Sequence, residues 1–220
     1  MKKMTRLLAM ILVLASLFTG FSLSASADSL NWSLDKGVLN ISGKGEMPDY
    51  STAEAPWRIK DDRAKAVKSI VVDAGVTHIG DQAFQYCSSA KDASIADSVD
   101  SIGYAAFYSC KKLKTVRMPK QLDELGESAF DHCYALESCV VPTGVEVIEM
   151  ATFNCCRKLK WVYIPASVTE IKYAAFWACD SLEDVYYGGS WSDWDKIEID
   201  GDNRSLTGAN FHFNSDVPES

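Results

Sequence analysis

The sequence has 220 residues, of which 47% are apolar and 24% charged, and this composition suffices for a domain with a buried core. It excludes intrinsic disorder and collagen-like or other low-complexity chains. Thirty acidic residues against 22 Lys and Arg give a net charge of −8, and the basic residues form no cluster along the sequence. We therefore expect no nucleic-acid partner.

Residues 1–27 have the pattern of a signal peptide. Basic residues precede an apolar run from Leu7 to Phe18, and the Ala-Ser-Ala tripeptide that ends at Ala27 supplies the small residues that signal peptidase requires. The apolar run is too short to cross a bilayer about 30 Å thick as a helix, so we expect no transmembrane segment. The pattern predicts cleavage near Ala27 and a secreted or cell-surface protein; an uncleaved N-terminal anchor is the alternative.

Two alternating segments, 30–34 and 38–45, flank a short loop that contains Gly37. Alternation of apolar and polar residues is typical of a strand with one buried face, and the Gly in the loop favours a tight turn. We expect a β-hairpin here. Trp32 and Trp57 are the large side chains available to cover the adjacent end of the fold.

Residues 67–188 repeat with a period of 23. Five Phe and five Cys recur at this interval without an insertion, at 84, 107, 130, 153 and 176 and at 87, 110, 133, 156 and 179. Aliphatic columns accompany them, one of which reads Ile79, Ile102, Leu125, Ile148 and Ile171. A period between 20 and 50 residues indicates a repeat architecture.

Each repeat can bury its columns only against its neighbours, so the sequence predicts stacked coils. The alternation in Val116-x-Met118 and Val162-x-Ile164 predicts strands with one face inward. The Pro after each of these strands ends it, because Pro cannot extend a ladder. Strands stack about 4.8 Å apart, so about five to six coils form a body roughly 25 Å long.

The segment 189–214 follows the repeats, and 215–220 forms a polar tail. Trp191, Trp194 and Ile197 have helical spacing after a Ser, which predicts a short helix over 190–199 capped by Ser190 or Ser192. We interpret the two Trp as covers for the open end of the coils, because a solenoid exposes apolar surface at its ends.

The columns together read Cys-x-x-Leu-x-x-Val-x-Ile-Pro-x-x-Val-x-x-Ile-Gly-x-x-Ala-Phe-x-x-Cys. This resembles the BspA-like or treponemal class of leucine-rich repeat, found in bacterial secreted and surface proteins, over residues 67–188. Residues 28–66 are similar to the N-terminal module that often precedes these repeats, and 189–214 to the usual terminal segment. The resemblance implies a leucine-rich-repeat solenoid of the α/β horseshoe class, mostly parallel β, with a β-hairpin cap and a C-terminal cap.

Seven cysteines in an exported chain raise the question of disulfides. The five periodic Cys form a column of small groups, and we expect buried free thiols there. Cys139 lies in an apolar strand column and is expected in the core. Cys155 is not periodic, so it is the thiol expected to be exposed and available for cross-linking. An odd total leaves at least one Cys unpaired in a monomer.

The sequence contains no catalytic, cofactor-binding or metal-binding pattern. His78, His132 and His212 are too far apart for a zinc motif, and 200–203 lacks the alternating oxygens and closing Glu of a calcium loop. His132 precedes Cys133, but neighbours in sequence rarely face each other. We therefore expect no enzymatic activity and no cofactor.

The residue between the two core positions of each strand points outward. Exposed aromatic and Arg side chains on a rigid sheet are typical anchors of an interface. The candidate ligand face is Arg117, Val140, Trp161, Tyr163 and Tyr186. Whether residues 189–214 fold back over this face stays open. A second group lies in the turns and is expected to be partly buried between coils: Tyr86, Tyr104, Tyr108, Tyr173 and Trp177.

An exported solenoid without a catalytic pattern favours a non-enzymatic recognition module. By resemblance, its ligand is a protein or glycan at a cell surface or in the extracellular matrix, bound in an adhesion-type interaction. The alternative is a structural component of a bacterial surface assembly, and a secreted hydrolase is a third hypothesis that no residue pattern supports. We expect a monomer or weak self-association.

Overall fold

The structure, a computed structural model, describes residues 30–50, 55–58 and 63–218. The predicted signal peptide lies outside the described residues. In chain order the strands are β1 (Leu30–Asp35), β2 (Val38–Gly43), β3 (Gly45–Glu46), β4 (Ser69–Val72), β5 (Val76–Ile79), β6 (Asp92–Ile95), β7 (Ser101–Ile102), β8 (Thr115–Arg117), β9 (Glu124–Leu125), β10 (Ser138–Val140), β11 (Val147–Ile148), β12 (Trp161–Ile164), β13 (Glu170–Ile171), β14 (Asp184–Tyr187), β15 (Glu198–Ile199) and β16 (Asn210–His212). The helices are α1 (Arg63–Ala66), α2 (Trp191–Trp194) and α3 (Arg204–Thr207). None of the helices in these ranges is long and apolar enough to span a membrane.

The strands form two parallel ladders along the solenoid. The first ladder runs β2-β4-β6-β8 and then β10-β12-β14-β16, and the second runs β3-β5-β7-β9 and then β11-β13-β15. Each step within the repeats pairs residues 23 apart, as in Ile70 with Ala93 and Ala93 with Val116. Where the first ladder is interrupted, the Glu137 N–H still donates to the Lys114 carbonyl at 3.0 Å. The prediction of a solenoid of mostly parallel strands is confirmed.

The core of the solenoid is a stack of Phe side chains. All five periodic Phe are fully buried, and successive ring centroids lie 5.0–5.7 Å apart. The aliphatic columns surround this stack, and each large buried side chain contributes about 1.5–3 kcal/mol through the apolar area it removes from water. Because every Phe contacts the Phe of the next coil, no coil can bury its core alone.

The turns around the Phe column form a third set of hydrogen bonds between coils. Phe107 donates its backbone N–H to the Ala129 carbonyl of the next coil at 2.8 Å, and the residues two before and two after it do the same. These flanking residues have positive φ, 51° at Ala105 and 59° at Ser109, and the pattern recurs in the other coils. A non-Gly residue in the left-handed conformation costs about 1–2 kcal/mol. The turn is stable despite this cost, because it gives three buried backbone N–H groups per coil a hydrogen-bond acceptor.

The predicted N-terminal hairpin is present as β1 and β2. Lys36 and Gly37 have φ values of 48° and 91°, as a type I′ turn requires. Strand β2 joins β4 in parallel, so the hairpin extends the first ladder beyond the repeats. Trp57 is fully buried, its ring stacks on Phe84 at 5.8 Å, and its Nε1–H donates to the Ala83 carbonyl at 2.8 Å.

The helix predicted over 190–199 is shorter in the structure. Ser190 forms a capping box as expected, but α2 ends at Trp194 because the chain then joins the second ladder as β15. Trp191 is 62% exposed, so the expectation that it covers the end of the coils is wrong. Trp194 contacts Tyr187, with ring centroids 5.2 Å apart.

The last turn of the Phe column is closed by Asn203. Its Oδ1 accepts the backbone N–H of Phe176 at 2.9 Å, and its Nδ2 donates to the Lys172 carbonyl at 2.9 Å. The side-chain amide thus replaces a carbonyl that a further coil would supply, and Leu206 of α3 is fully buried beside it. The roles of both residues are not predictable from the repeat pattern, because the residues lie beyond the periodic register.

Replacing Phe130 by Ala should lower the free energy of unfolding by about 3–5 kcal/mol, because a buried ring between two others leaves a cavity. Equilibrium urea unfolding followed by circular dichroism measures the change. Tyr104→Ala, at a side chain that is 44% exposed, is the control and should change stability by less than about 0.5 kcal/mol. Equal effects of the two substitutions would contradict a core centred on the Phe stack.

Asn203→Ala should lower the free energy of unfolding by about 1–3 kcal/mol, because it leaves the Phe176 N–H and the Lys172 carbonyl without their partner. Thermal and urea unfolding report this loss. Asn210→Ala, at an exposed Asn of the neighbouring strand, provides the matched control. Unchanged stability of the Asn203 variant would show that water replaces the amide at no cost.

Candidate functional site

The first ladder aligns most of the candidate ligand face. Val140, Tyr163 and Tyr186 are direct partners on β10, β12 and β14. Trp161 lies two residues before Tyr163, on the same face, and pairs with Asp184. All four side chains of the candidate face on these strands are partly exposed. The parallel register therefore brings them together on the outer surface of three neighbouring strands.

Arg117 is placed differently. It lies on β8, beyond the interruption of the first ladder, and its guanidinium donates to the Ile95 carbonyl at 2.6 Å and to Asp97 Oδ1 at 3.1 Å. Both partners belong to the preceding coil. The side chain is thus held toward the N-terminal coils, away from the aromatic residues.

His212 extends the aromatic row by one strand. It pairs with Tyr186 on β16, and the two rings stack with centroids 4.5 Å apart. Its Nε2 lies 2.8 Å from Asp184 Oδ1, and the Trp161 ring meets Tyr186 edge-on at 6.0 Å. The repeat pattern does not predict His212 at this position, because the last step of the ladder is longer than 23 residues and breaks the register. We call Trp161, Tyr163, Tyr186 and His212 the aromatic face.

The chain after β14 covers one side of the aromatic face, where Gly188 and the tail residues Ser215 and Asp216 lie beside it. A Cβ at Gly188 would lie 2.6 Å from the Tyr163 hydroxyl, so the chain passes directly beside that phenol. Burial, together with the negative charge of Asp216, raises the pKa of Tyr163. The Ser215 N–H donates to the Tyr187 carbonyl at 3.0 Å, which fixes the segment there. Trp161 and Tyr186 stay partly exposed, so the coverage is partial.

The second aromatic group is more exposed than expected. Four of its members are 44–51% exposed and only Tyr108 is partly buried, so the expectation of burial between coils is wrong for Tyr86, Tyr104, Tyr173 and Trp177. The turn geometry explains this, because the inward positions of each turn are taken by the Phe and Cys columns. Trp177 also borders an open cleft of about 410 Å³ that Asp180, Asp202 and Arg204 line.

All seven cysteines are buried free thiols. Four periodic thiols donate to the carbonyl of the Phe one coil earlier, as Cys133 does to Phe107 at 3.2 Å. Burial raises the pKa of the Cys87, Cys139 and Cys179 thiols to about 12. These sulfurs are therefore protonated at neutral pH and poor nucleophiles.

Cys155 corrects the expectation of an exposed thiol, because only 4% of the residue is accessible. It occupies the left-handed turn position two residues after Phe153, with φ 59°, and its N–H donates to the Trp177 carbonyl at 2.8 Å. Burial raises the pKa of the Cys155 thiol, and Asp131 adds to the shift. Cys155 is thus buried because it takes part in the hydrogen bonds between successive turns, although it lies outside the periodic Cys column.

The adjacent His132 and Cys133 are not placed to act together. Among the described residues no three His, Cys, Asp or Glu side chains are placed to hold a metal ion. His132 Nδ1 lies 2.5 Å from Asp131, whereas the Cys133 thiol points to the Phe107 carbonyl. The adjacent His and Cys therefore form no nucleophile–base pair.

Comparison with known proteins identifies the repeats. The family model of the BspA type leucine rich repeat region matches residues 63–190 in six copies. A leucine-rich repeat protein from Eubacterium ventriosum is 28% identical, with a TM-score of 0.63 over 84% of this chain and 45% of its own. A leucine rich cell surface protein from Faecalibacterium prausnitzii is 26% identical, with a TM-score of 0.57 over 80% of this chain and 42% of its own.

The T. pallidum leucine rich repeat protein is 27% identical, with a TM-score of 0.53 over 71% of this chain and 68% of its own. This chain spans less than half of the length of the E. ventriosum and F. prausnitzii proteins. Among curated proteins none matches it.

The burial of the thiols predicts that none of them reacts with a disulfide reagent such as Ellman's reagent in the folded protein near pH 8. At a pKa of about 12 only about one thiol in ten thousand is ionised there, and the sulfurs are also sterically closed. All seven should react after denaturation, which serves as the control. Rapid labelling of Cys155 in the folded protein would contradict its placement.

Proposed function

The chain belongs to the family of BspA type leucine rich repeat proteins, and from that premise we propose that it is an exported, non-enzymatic recognition module that binds a protein at a bacterial or host cell surface. The module presents the aromatic face on a stack of hydrogen-bonded coils. Its activity is binding alone.

The observation that carries this proposal is the row Trp161, Tyr186 and His212 on adjacent strands. Their rings contact one another at 6.0 and 4.5 Å while remaining open to solvent. Aromatic side chains on a rigid surface are the usual anchors of protein interfaces. Because the ladder and the mutual packing hold the rings, little side-chain entropy is lost when a partner binds.

A protein partner fits this surface better than a small molecule. The aromatic residues lie on the outer side of parallel strands, which is a broad surface and not a deep pocket. Asp184 and Asp216 border the rings, and Lys160 precedes Trp161 on the same strand edge. A hydrophobic centre with a charged rim is the arrangement of a protein–protein interface.

Export is part of the proposal. It is supported by the signal-peptide pattern of residues 1–27 and by the description of the F. prausnitzii relative as a cell surface protein. Mass spectrometry of the protein recovered from the producing cells should give Asp28 as the first residue. A chain that retains Met1 would point to an N-terminal anchor instead.

We predict that replacing Trp161, Tyr163 and Tyr186 together by Ala lowers affinity for the partner at least about tenfold, because hot-spot aromatics dominate interface energies. Binding of the purified protein to an array of matrix and surface proteins, with glycans included, measures the effect. The matched control replaces Tyr104, Tyr173 and Trp177, which are also two Tyr and one Trp and are 44–51% exposed.

The control variant should bind as the unchanged protein does. Equal affinity of the aromatic-face variant would overturn the site, and binding to glycans alone would overturn the protein partner. Light scattering of the purified protein adds a check, because stable self-assembly abolished by the aromatic-face substitutions would assign this surface to contacts between copies in a structural array.

A further inference from the structure

Basic residues that are scattered along the sequence meet at one corner of the solenoid. The corner lies between the Cys column and the first ladder. Basic residues follow Cys87, Cys110 and Cys156 there by one to four positions, and Lys68 holds the position equivalent to Lys91 one coil earlier, whereas the coils of Cys133 and Cys179 contribute none. We call the following exposed residues the basic ridge: Lys68, Lys91, Lys111, Lys112, Lys114, Arg157, Lys158 and Lys160. The coils that contribute supply one to three of these residues each, and the groups lie far apart along the sequence.

Backbone hydrogen bonds hold the ridge residues side by side. The N–H of Lys91 donates to the Lys68 carbonyl at 2.8 Å, and the N–H of Lys114 donates to the Lys91 carbonyl at 2.7 Å. Glu137 and Lys160 continue the same series at 3.0 and 2.9 Å. With coils about 4.8 Å apart, the ridge from Lys68 to Lys160 is roughly 20 Å long.

The charge of the ridge is mostly uncompensated. Lys114 lies 3.7 Å from Glu137, but both side chains are about half exposed, so this pair is weak. Lys91, Lys112 and Lys158 make no ion pair with any residue in the described ranges. The ridge therefore carries a surplus of positive charge on a protein whose net charge is −8.

Tyr134 sits within the ridge and organises its centre. It occupies the position that Lys111 and Arg157 hold in the coils before and after it. The Lys111 ammonium lies 5.9 Å and the Arg157 guanidinium 5.4 Å from the centre of its ring. Cation–π attraction thus keeps two cations together that would otherwise repel each other.

We propose that the basic ridge binds a linear sulfated polysaccharide of the glycosaminoglycan type, laid along the solenoid across successive coils. Such a chain presents sulfate and carboxylate groups at regular intervals along one line, and the ridge presents Lys and Arg donors along one line. Lysine binds such anions as a point charge and needs no enclosed pocket. The regular coil spacing lets several sugars be contacted at once, which raises avidity.

The ridge is poorly suited to nucleic acid. Single-stranded chains bind by stacking bases on open aromatic rings, and the Tyr134 ring already has a cation on each side. Acidic side chains on the second ladder and in the turns that precede its strands, Asp100, Asp123, Glu124 and Glu146, make that side of the coils acidic. A narrow basic line on an acidic protein suits a slender chain that lies along one edge.

The ridge does not depend on the aromatic face. Its residues lie at the turn corner, whereas the aromatic face lies on the strands, so substitutions can separate the two. The polysaccharide proposal goes beyond protein recognition and can fail while the proposed function holds.

The test is binding of the purified protein to a size-defined heparin oligosaccharide at physiological salt, measured by calorimetry. Lys91, Lys112 and Lys158 replaced together by Gln should weaken binding at least about tenfold and reduce the salt dependence of the affinity, because fewer counterions are then released. The matched control replaces Lys44, Lys120 and Lys196 by Gln, which changes the net charge equally and leaves the ridge intact.

The control variant and the aromatic-face variant should bind heparin as the unchanged protein does. No binding of heparin by the unchanged protein would overturn the proposal, and so would equal losses in both Lys variants, which would indicate a general charge effect. Tighter binding of a single-stranded oligonucleotide or of a phosphate-based teichoic acid polymer than of heparin would overturn the assignment of the ligand. Circular dichroism of each variant shows that it is folded.

Discussion

Hydrogen bonding between successive coils is the constraint on which the rest of the structure depends. The two strand ladders pair their N–H groups as any parallel sheet does. The turn opposite them would leave its N–H groups buried and unpaired if it were an ordinary turn. Left-handed residues two before and two after each Phe direct three N–H groups to the next coil. The Phe stack then fills the space between turn and strands. The Phe carbonyls accept two hydrogen bonds, as Phe107 does from the Cys110 N–H and from the Cys133 thiol of the next coil.

This constraint fixes the inward positions and leaves the outward ones free to vary. Every coil keeps its Phe, Cys and aliphatic columns, so the differences between coils lie in the strand position that points outward and at the turn corner. The aromatic face lies at outward strand positions of the C-terminal coils, and the basic ridge lies at the turn corner over most of the solenoid. Both proposed binding surfaces therefore lie where the repeats differ from one another.

The columns were predictable because a fixed period converts directly into stacked positions, and the first ladder and the Phe stack follow from them. The hairpin follows from the alternation of apolar and polar residues around Gly37. Prediction became unreliable where the period ends. Trp191 and Trp194 have helical spacing, yet the helix ends at Trp194 because the chain then pairs with β13 of the second ladder as β15. His212 and Asn203 act as members of a coil, but the longer last step removes them from the register.

The surfaces show a second limit of sequence reasoning. That Trp161, Tyr163 and Tyr186 share one surface follows from the alternation of inward and outward side chains along a strand, which is a local property of the sequence. Placing Arg117 required its contacts with Asp97 and the Ile95 carbonyl, which direct it to the preceding coil. Cys155 looked exposed because it is not periodic, whereas its backbone conformation is periodic and determines its burial.

The net charge of −8 does not oppose a polyanion at the basic ridge, because screening makes electrostatics local. The Debye length at physiological ionic strength is about 8 Å, longer than the coil spacing of about 4.8 Å. Ridge charges on neighbouring coils therefore act on a ligand together. The acidic side chains of the second ladder are separated from the ridge by the first ladder and by the turn between the two ladders. Salt screens the repulsion from charges that lie more than a Debye length away.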